Sequence, residues 1–383
     1  MEGKKKVGII TIVKVNNYGA ELQAFALQRK LNLMGYDAEI IDYLFYKNKQ
    51  YKRENISKPF YPYPFKMRIK ETLLPIYEWL RSIPHNKALT YRNKGFAEFH
   101  KRNTRFSPTV FKSYSQLYGN PPHYDIYCVG SDQVWNPNCY TSLFPYFLTF
   151  VSEGNRKVSY ASSFGVSSIP QQAMENYKIG LNNLDYISVR EKTGMSIVKQ
   201  ITGKDATVVV DPTLLLSRDE WIKIAKCDKV PSGDYLLLYV LKDSDYITRI
   251  AIETARRKSL KIVRLCKGAY TQDNKNSGII DIIDAAPDDF VGLFAKASMV
   301  MTNSFHGTVF SNIFHKDFYS IIPRGKDNNS RIVDLLNRIG NQTRIVNEGD
   351  DFKEAAAIEW NSVDNKIATF VQQSEKYIHD SFQ

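Results

Sequence analysis

Cysteine is scarce: there are four in 383 residues. Cys128, Cys139, Cys227 and Cys266 form no C-x-x-C pair and stand at no zinc spacing from a histidine. The pattern argues against a disulfide framework and a structural zinc site, and fits a reducing, cytoplasmic compartment. Histidine is nearly as rare. None of His85, His100, His123, His315 and His379 falls at ligand spacing from His306, so no metal is expected. No uncharged apolar run approaches the roughly 18 residues of a membrane span. The start Met1-Glu2-Gly3-Lys4-Lys5-Lys6 lacks the apolar core of a signal peptide. G-x-G-x-x-G is missing too, which removes the dinucleotide fingerprint.

What is present is ordinary in total and uneven in placement. With 43% hydrophobic and 24% charged residues the chain can bury normal cores, and its length suits two domains at about 150 residues each. The formal charge is +12. Between Tyr46 and Arg105 stand 15 Lys+Arg against 4 Asp+Glu, so one stretch holds nearly the whole excess. The same stretch is rich in Tyr, Phe and Trp and is broken by Pro59, Pro62, Pro64, Pro75 and Pro84, with a helix expected over Lys87–Arg102. It carries no nucleic-acid-reading motif, so nucleic acid is not an expected partner.

Around this basic insert, at about 46–120, apolar β-branched runs alternate with helical spacing. Val7–Val13, Ala38–Tyr43, Asp125–Val129, Lys157–Ala161, Tyr186–Val189 and Val208–Val210 read as strands of a first α/β domain over 1–215. Tyr235–Leu241, Lys261–Leu265, Met299–Thr302 and Phe318–Ile322 read as those of a second over 216–383, whose terminal helices are free to pack back on the first. The expected fold class is α/β, two Rossmann-like doubly wound domains. In such folds ligands sit beyond the carboxyl ends of the strands.

The strand-end loops therefore hold the candidate residues, each with two open readings. Asn17 and Gly19 lie where β turns into α: either a capped tight turn or backbone N–H groups for a phosphate or carboxylate. Ser131 and Asp132 end the Asp125–Val129 run; Asp132 either caps a helix or acts on a substrate hydroxyl, with Trp135 as a platform for a sugar ring. Arg190 either grips phosphate or carboxylate bidentately or forms a salt bridge with a nearby acid. His306, in Thr302-Asn303-Ser304-Phe305-His306-Gly307-Thr308, is either structural or a proton donor, with the following helix expected from Thr308. Arg324, Lys326 and Arg331 form a second cationic cluster.

Taken in order, N-N-Y-G-A-x-L-Q-A, V-G-S-D-Q-x-W-N, S-Y-A-x-S-F-G, I-S-V-R-E, V-x-D-P-T-L-L and T-N-S-F-H-G resemble the polysaccharide pyruvyl transferase family from about Lys6 to Gly340. The resemblance implies a GT-B-type, glycosyltransferase-like architecture with the active site in the interdomain cleft. It implies transfer of a pyruvyl group from phosphoenolpyruvate to a sugar, closing a ketal, in capsule or exopolysaccharide synthesis, a reaction that requires no metal or redox cofactor. His306 would then be the acid, and Arg190 and Arg331 would bind the donor's phosphate and carboxylate, with Asp132 acting on the acceptor hydroxyl. Ser304 stands where better-described members carry an Arg, as in R-L-H; Lys326 or Arg324 are cations that can replace it. The acceptor would be a sugar, free in a polysaccharide or polyprenyl-diphosphate-linked, with residues 46–105 docking on the anionic inner face of the membrane or forming a solvated lid. Two other readings stay open: a sugar-nucleotide-dependent glycosyltransferase of the same architecture, and a non-catalytic carbohydrate-binding protein.

Overall fold

Strands buried on both faces need apolar residues at successive positions, and two groups of such runs build two parallel sheets. The computed structural model of the chain describes residues 3–61, 69, 73, 77, 79, 80, 82–241, 244–266, 278–324 and 330–383. The chain divides into two units: Met1–Met67, His100–Leu215 and Ala368–Gln383 form the first, Arg68–Phe99 and Leu216–Ile367 the second.

In the first unit β1 (Lys6–Ile10), β2 (Asp37–Tyr43), β3 (Phe106–Phe111), β4 (Ile126–Val129) and β5 (Arg156–Ser159) pair in the order β3-β2-β1-β4-β5, all parallel. The short pair β6 (Ser188–Val189) and β7 (Thr207–Val208) continues beyond β5 through isolated bridges. The chain crosses from β1 to β2 through a helix, Tyr18–Leu33, which is buried over most of its length. β3 lies inside the stretch read as an insert. It escaped the pattern because Pro108 interrupts it, and proline is tolerated in a strand at a sheet edge, where β3 sits.

In the second unit β8 (Tyr235–Tyr239), β9 (Lys261–Leu265), β10 (Ile279–Ile282), β11 (Met299–Thr302), β12 (Asp317–Ile322) and β13 (Ile345–Asn347) pair in the order β10-β9-β8-β11-β12-β13, again all parallel. Counted within the unit this is 3-2-1-4-5-6, the Rossmann order, and the first unit follows it as 3-2-1-4-5. Residues from Asn86 to Phe99 of the helix Asn86–Asn103 group with this second unit. There the buried Arg92 donates from Nη1 to the Cys266 carbonyl at 2.7 Å.

The last helix, Trp360–Ser381, begins in the second unit, where Trp360 stacks on His315 at 4.5 Å. Its later turns belong to the first unit: Ser374 Oγ accepts from the Val210 N–H at 2.9 Å and the Tyr377 hydroxyl donates to the Ser159 carbonyl at 2.9 Å. Among the described residues no helix is long and apolar enough to cross a membrane.

Candidate functional site

In each Rossmann-ordered sheet the strand order reverses at one place, and the loops leaving the two strands there open a crevice. In the first unit those loops follow β1 and β4; in the second they follow β8 and β11. The candidate residues fall into two groups accordingly.

In the first unit, the Thr11 hydroxyl ties the two loops together by donating to the Ser131 carbonyl at 2.8 Å. Gly130 permits this approach, since a β-carbon there would come within 2.9 Å of Thr11 Cβ. Asn17 is the N-cap of Tyr18–Leu33, and its Oδ1 accepts from Gly19 N and Ala20 N at 3.0 and 3.4 Å. The N–H groups considered for an anion are thus engaged by the chain's own side chain, and the capped-turn reading describes this loop.

Asp132 caps no helix. It holds a left-handed backbone, φ 73°, and bridges Ser162 in parallel pairing, a conformation that Asp tolerates better than most residues. Its carboxylate lies 3.7 Å from Arg190 Nη2. Arg190 Nη1 donates to Asp211 at 2.8 Å, and Glu191 stands at 4.0 Å. Burial works against the charge of Arg190, but Asp211, Asp132 and Glu191 together outweigh it and raise its pKa above the ordinary guanidinium value. The salt-bridge reading of Arg190 therefore describes the structure, with the difference that the bridge is buried. Asp211 is itself fixed by the N–H and hydroxyl of Thr213 at 3.0 and 2.6 Å, and Ser131 Oγ donates to it at 3.3 Å. Of the three acids, Glu191 and Asp211 have side chains 3% and 0% exposed, whereas Asp132 is 16% exposed. Asp132 is the member of the cluster that solvent or a ligand can reach.

Trp135 corrects the sequence reading. Its ring is fully buried, stacks on Phe147 at 5.2 Å with the planes 6° apart, and donates Nε1–H to the Tyr146 carbonyl at 2.7 Å. An indole packed on its face and satisfied at its edge is a core side chain and offers no platform to a sugar.

In the second unit, Asn303 joins the two switch-point loops by accepting the Leu241 N–H on Oδ1 at 2.7 Å. Ser304 is the N-cap of the helix Phe305–Ile313, accepting from the Gly307 N–H at 3.3 Å. His306 therefore sits in the first turn of that helix, although the sequence suggested a start at Thr308. The missing side chain of Gly307 serves close packing: a β-carbon would lie 2.3 Å from Thr302 Oγ1. His306 is largely buried and meets the Phe305 ring edge-on at 5.4 Å, while the Arg331 guanidinium lies over the same ring at 5.8 Å. Phe305 thus gathers His306 and Arg331 around one aromatic ring. Lys326 lies outside the described residues, and Arg324 is an exposed side chain 3.7 Å from Asp350.

Among known families, the polysaccharide pyruvyl transferase model matches residues 17–323. The chain belongs to that family. No curated protein sequence matches it. One solved structure supports the fold: the UDP-GlcNAc 2-epimerase of Methanocaldococcus jannaschii aligns with 96% of this chain and 92% of its own at 10% identity and a TM-score of 0.51. The UDP-N-acetylglucosamine 2-epimerase of Rickettsia bellii covers 98% of both chains at 11% identity and 0.47. Arabidopsis thaliana UGT89C1 complexed with quercetin covers 98% and 94% at 8% and 0.46. The fold class is α/β with two Rossmann-like domains, of the GT-B type.

As a pyruvyl transferase family member the chain departs from the R-L-H pattern at Ser304, and the local structure shows what the serine does. Arginine has only donors and cannot accept the Gly307 N–H. The exchange trades a cation for a helix cap. Replacing Ser304 with Ala is expected to cost about 1 kcal/mol, the usual value of a lost N-cap. Urea unfolding of the S304A variant checks this. Sequence alone does not single out Asp211, Glu191, Thr11 or Asn303 as site residues; the only signal for any of them is the V-x-D-P-T motif around Asp211.

Proposed function

We propose that this protein transfers a pyruvyl group from phosphoenolpyruvate to a sugar of a polysaccharide or lipid-linked oligosaccharide, closing a cyclic ketal across two hydroxyls. The family match carries the reading, because residues 17–323 include the Asn17, Asp132, Arg190 and His306 motifs. His306 gives a proton to the methylene carbon of the donor, and a sugar hydroxyl attacks the cationic carbon so formed. The first hydroxyl's proton goes to a base, the role proposed for Asp132. Phosphate then leaves, a second hydroxyl attacks the same carbon and passes its proton to the released phosphate, and the proton taken up by Asp132 returns through solvent to His306. Arg331 supplies a cation beside His306 for the phosphate or carboxylate of the donor. Arg190 is given no donor-binding role in this proposal, because its charge is already matched by Asp211, Asp132 and Glu191.

The expected result is inorganic phosphate release from phosphoenolpyruvate that requires a lipid-linked oligosaccharide, together with a matching mass gain on the sugar. Calorimetric binding of a UDP-sugar, with neither phosphoenolpyruvate binding nor phosphate release, would overturn the proposal.

A further inference from the structure

β4 ends at Val129, and the three residues that follow, Gly130, Ser131 and Asp132, carry carbonyls that need donors beyond the strand. Each finds one. The Ser162 hydroxyl donates to the Gly130 carbonyl at 2.9 Å, the Thr11 hydroxyl to that of Ser131 at 2.8 Å, and the Ser163 N–H to that of Asp132 at 2.9 Å. The two peptide planes flanking Asp132 are therefore both held, the leading one by Thr11 and the following one by Ser163. Holding both planes fixes φ and ψ of the residue between them. Asp132 stands at φ 73°, a strained conformation of the kind that persists where its surroundings over-determine it.

Thr11 does not act by itself. Gln23, the glutamine of N-N-Y-G-A-x-L-Q-A, lies in the helix Tyr18–Leu33 and donates from Nε2 to Thr11 Oγ1 at 3.1 Å and to the Ala20 carbonyl at 2.9 Å. The amide cannot turn over, because its oxygen would then face the Ala20 carbonyl. With Oγ1 accepting from Gln23, the one hydroxyl proton of Thr11 is directed to Ser131. Thr11, Gln23 and Ser131 are fully buried, and Gln23 Oε1 has no partner among the described residues. An unpaired amide oxygen in the interior is a cost, so local stability does not account for a glutamine there. What its amide does achieve is to orient the hydroxyl that holds the peptide before Asp132.

We propose that Thr11, oriented by Gln23, is a positioning residue for Asp132, setting the direction in which the one reachable carboxylate of the Arg190 cluster meets an acceptor hydroxyl. The inference rests on the transferase reading with Asp132 as the base. It concerns neither donor binding nor the proton from His306.

Phosphate release from phosphoenolpyruvate in the presence of a lipid-linked oligosaccharide tests it, with urea unfolding measured on every variant. Thr11→Val keeps the shape and removes the hydroxyl; Thr11→Ser keeps the hydroxyl. The Val variant is expected to lose about 10- to 100-fold in kcat, the scale of a small misplacement at a reacting group, and the Ser variant to stay within about threefold of the parent. KM for phosphoenolpyruvate should be unchanged in both, because neither touches His306 or Arg331. In an Asp132→Asn background, Thr11→Val is expected to cost no more than about threefold, since a residue that acts through Asp132 has nothing left to position. Should the Val variant unfold, Gln23→Leu carries the same comparison, with the Thr11–Ser131 hydrogen bond left possible but no longer directed. A Val variant that is folded and within about threefold of the parent, or one whose loss is as large in the Asp132→Asn background, would overturn this inference alone. An Asp132→Asn protein as active as the parent would overturn the base assignment and this inference with it. A parent protein that releases no phosphate would overturn the transferase reading on which both stand.

Discussion

Replacing Arg190 with Met is expected to destabilise the first unit by about 3–5 kcal/mol, the loss that follows when one partner of a buried ion pair is removed. The side chain of Arg190 is 1% exposed and faces three carboxylates, two of them almost inaccessible to water. Methionine fills most of the volume and carries none of the charge, so Asp211 and Glu191 would have to bind protons or draw in water. Urea unfolding followed by tryptophan emission reports on this region, since the buried Trp135 belongs to the first unit. Adding Asp211→Asn to the Met variant is expected to recover part of the loss, and the double-mutant cycle gives the coupling between the two. The opposite outcome is equally clear. If Arg190 bound the donor instead, the Met variant would keep its unfolding midpoint within about 1 kcal/mol and raise only KM for phosphoenolpyruvate.

This cluster also marks where the sequence stops being readable. β1, β4, β8 and β11 are legible because central parallel strands are apolar over nearly their whole length, and β4 and β11 stop abruptly at Gly130 and Asn303. β3, β10 and β13 lie at or next to sheet edges, so they need fewer apolar residues, and Pro108 or Asp281 within them blurs the pattern. Strand-end placement likewise exposes Asp132, Arg190 and His306 to inspection. It cannot show that Asp132, Arg190 and Asp211 come together, because they are remote in sequence and their meeting depends on how β4 and the β6–β7 pair are seated. Trp135 shows the same limit from the other side. A tryptophan beside a strand-end loop is as easily a ligand platform as a core residue, and only the downstream Tyr146 carbonyl and Phe147 ring decide between them.

Replacing His306 with Gln is expected to lower kcat for phosphate release by about 100- to 10,000-fold, the range covered by a positioned general acid. Glutamine keeps a polar side chain of similar reach, and the helix Phe305–Ile313 retains its Ser304 cap, so the fold of the second unit is expected to survive. The donor's affinity should change little, because the proton moves to carbon only in the transition state. Arg331→Gln is expected to give the complementary pattern. In the proposed reaction its guanidinium, held over the Phe305 ring that His306 also meets, would bind charge already present in the donor, so KM should rise more than kcat falls. A helix N-terminus already favours anions through its N–H groups and dipole, which is why the loss at Arg331 should be partial. The split between the two variants is the informative measurement. A His306→Gln protein with kcat within about tenfold of the parent would place the proton donor elsewhere and leave His306 as a packing partner of Phe305. Loss of both kcat and unfolding cooperativity in that variant would assign the residue to the stability of the β11–helix turn, where Thr302, Ser304 and Gly307 already interlock.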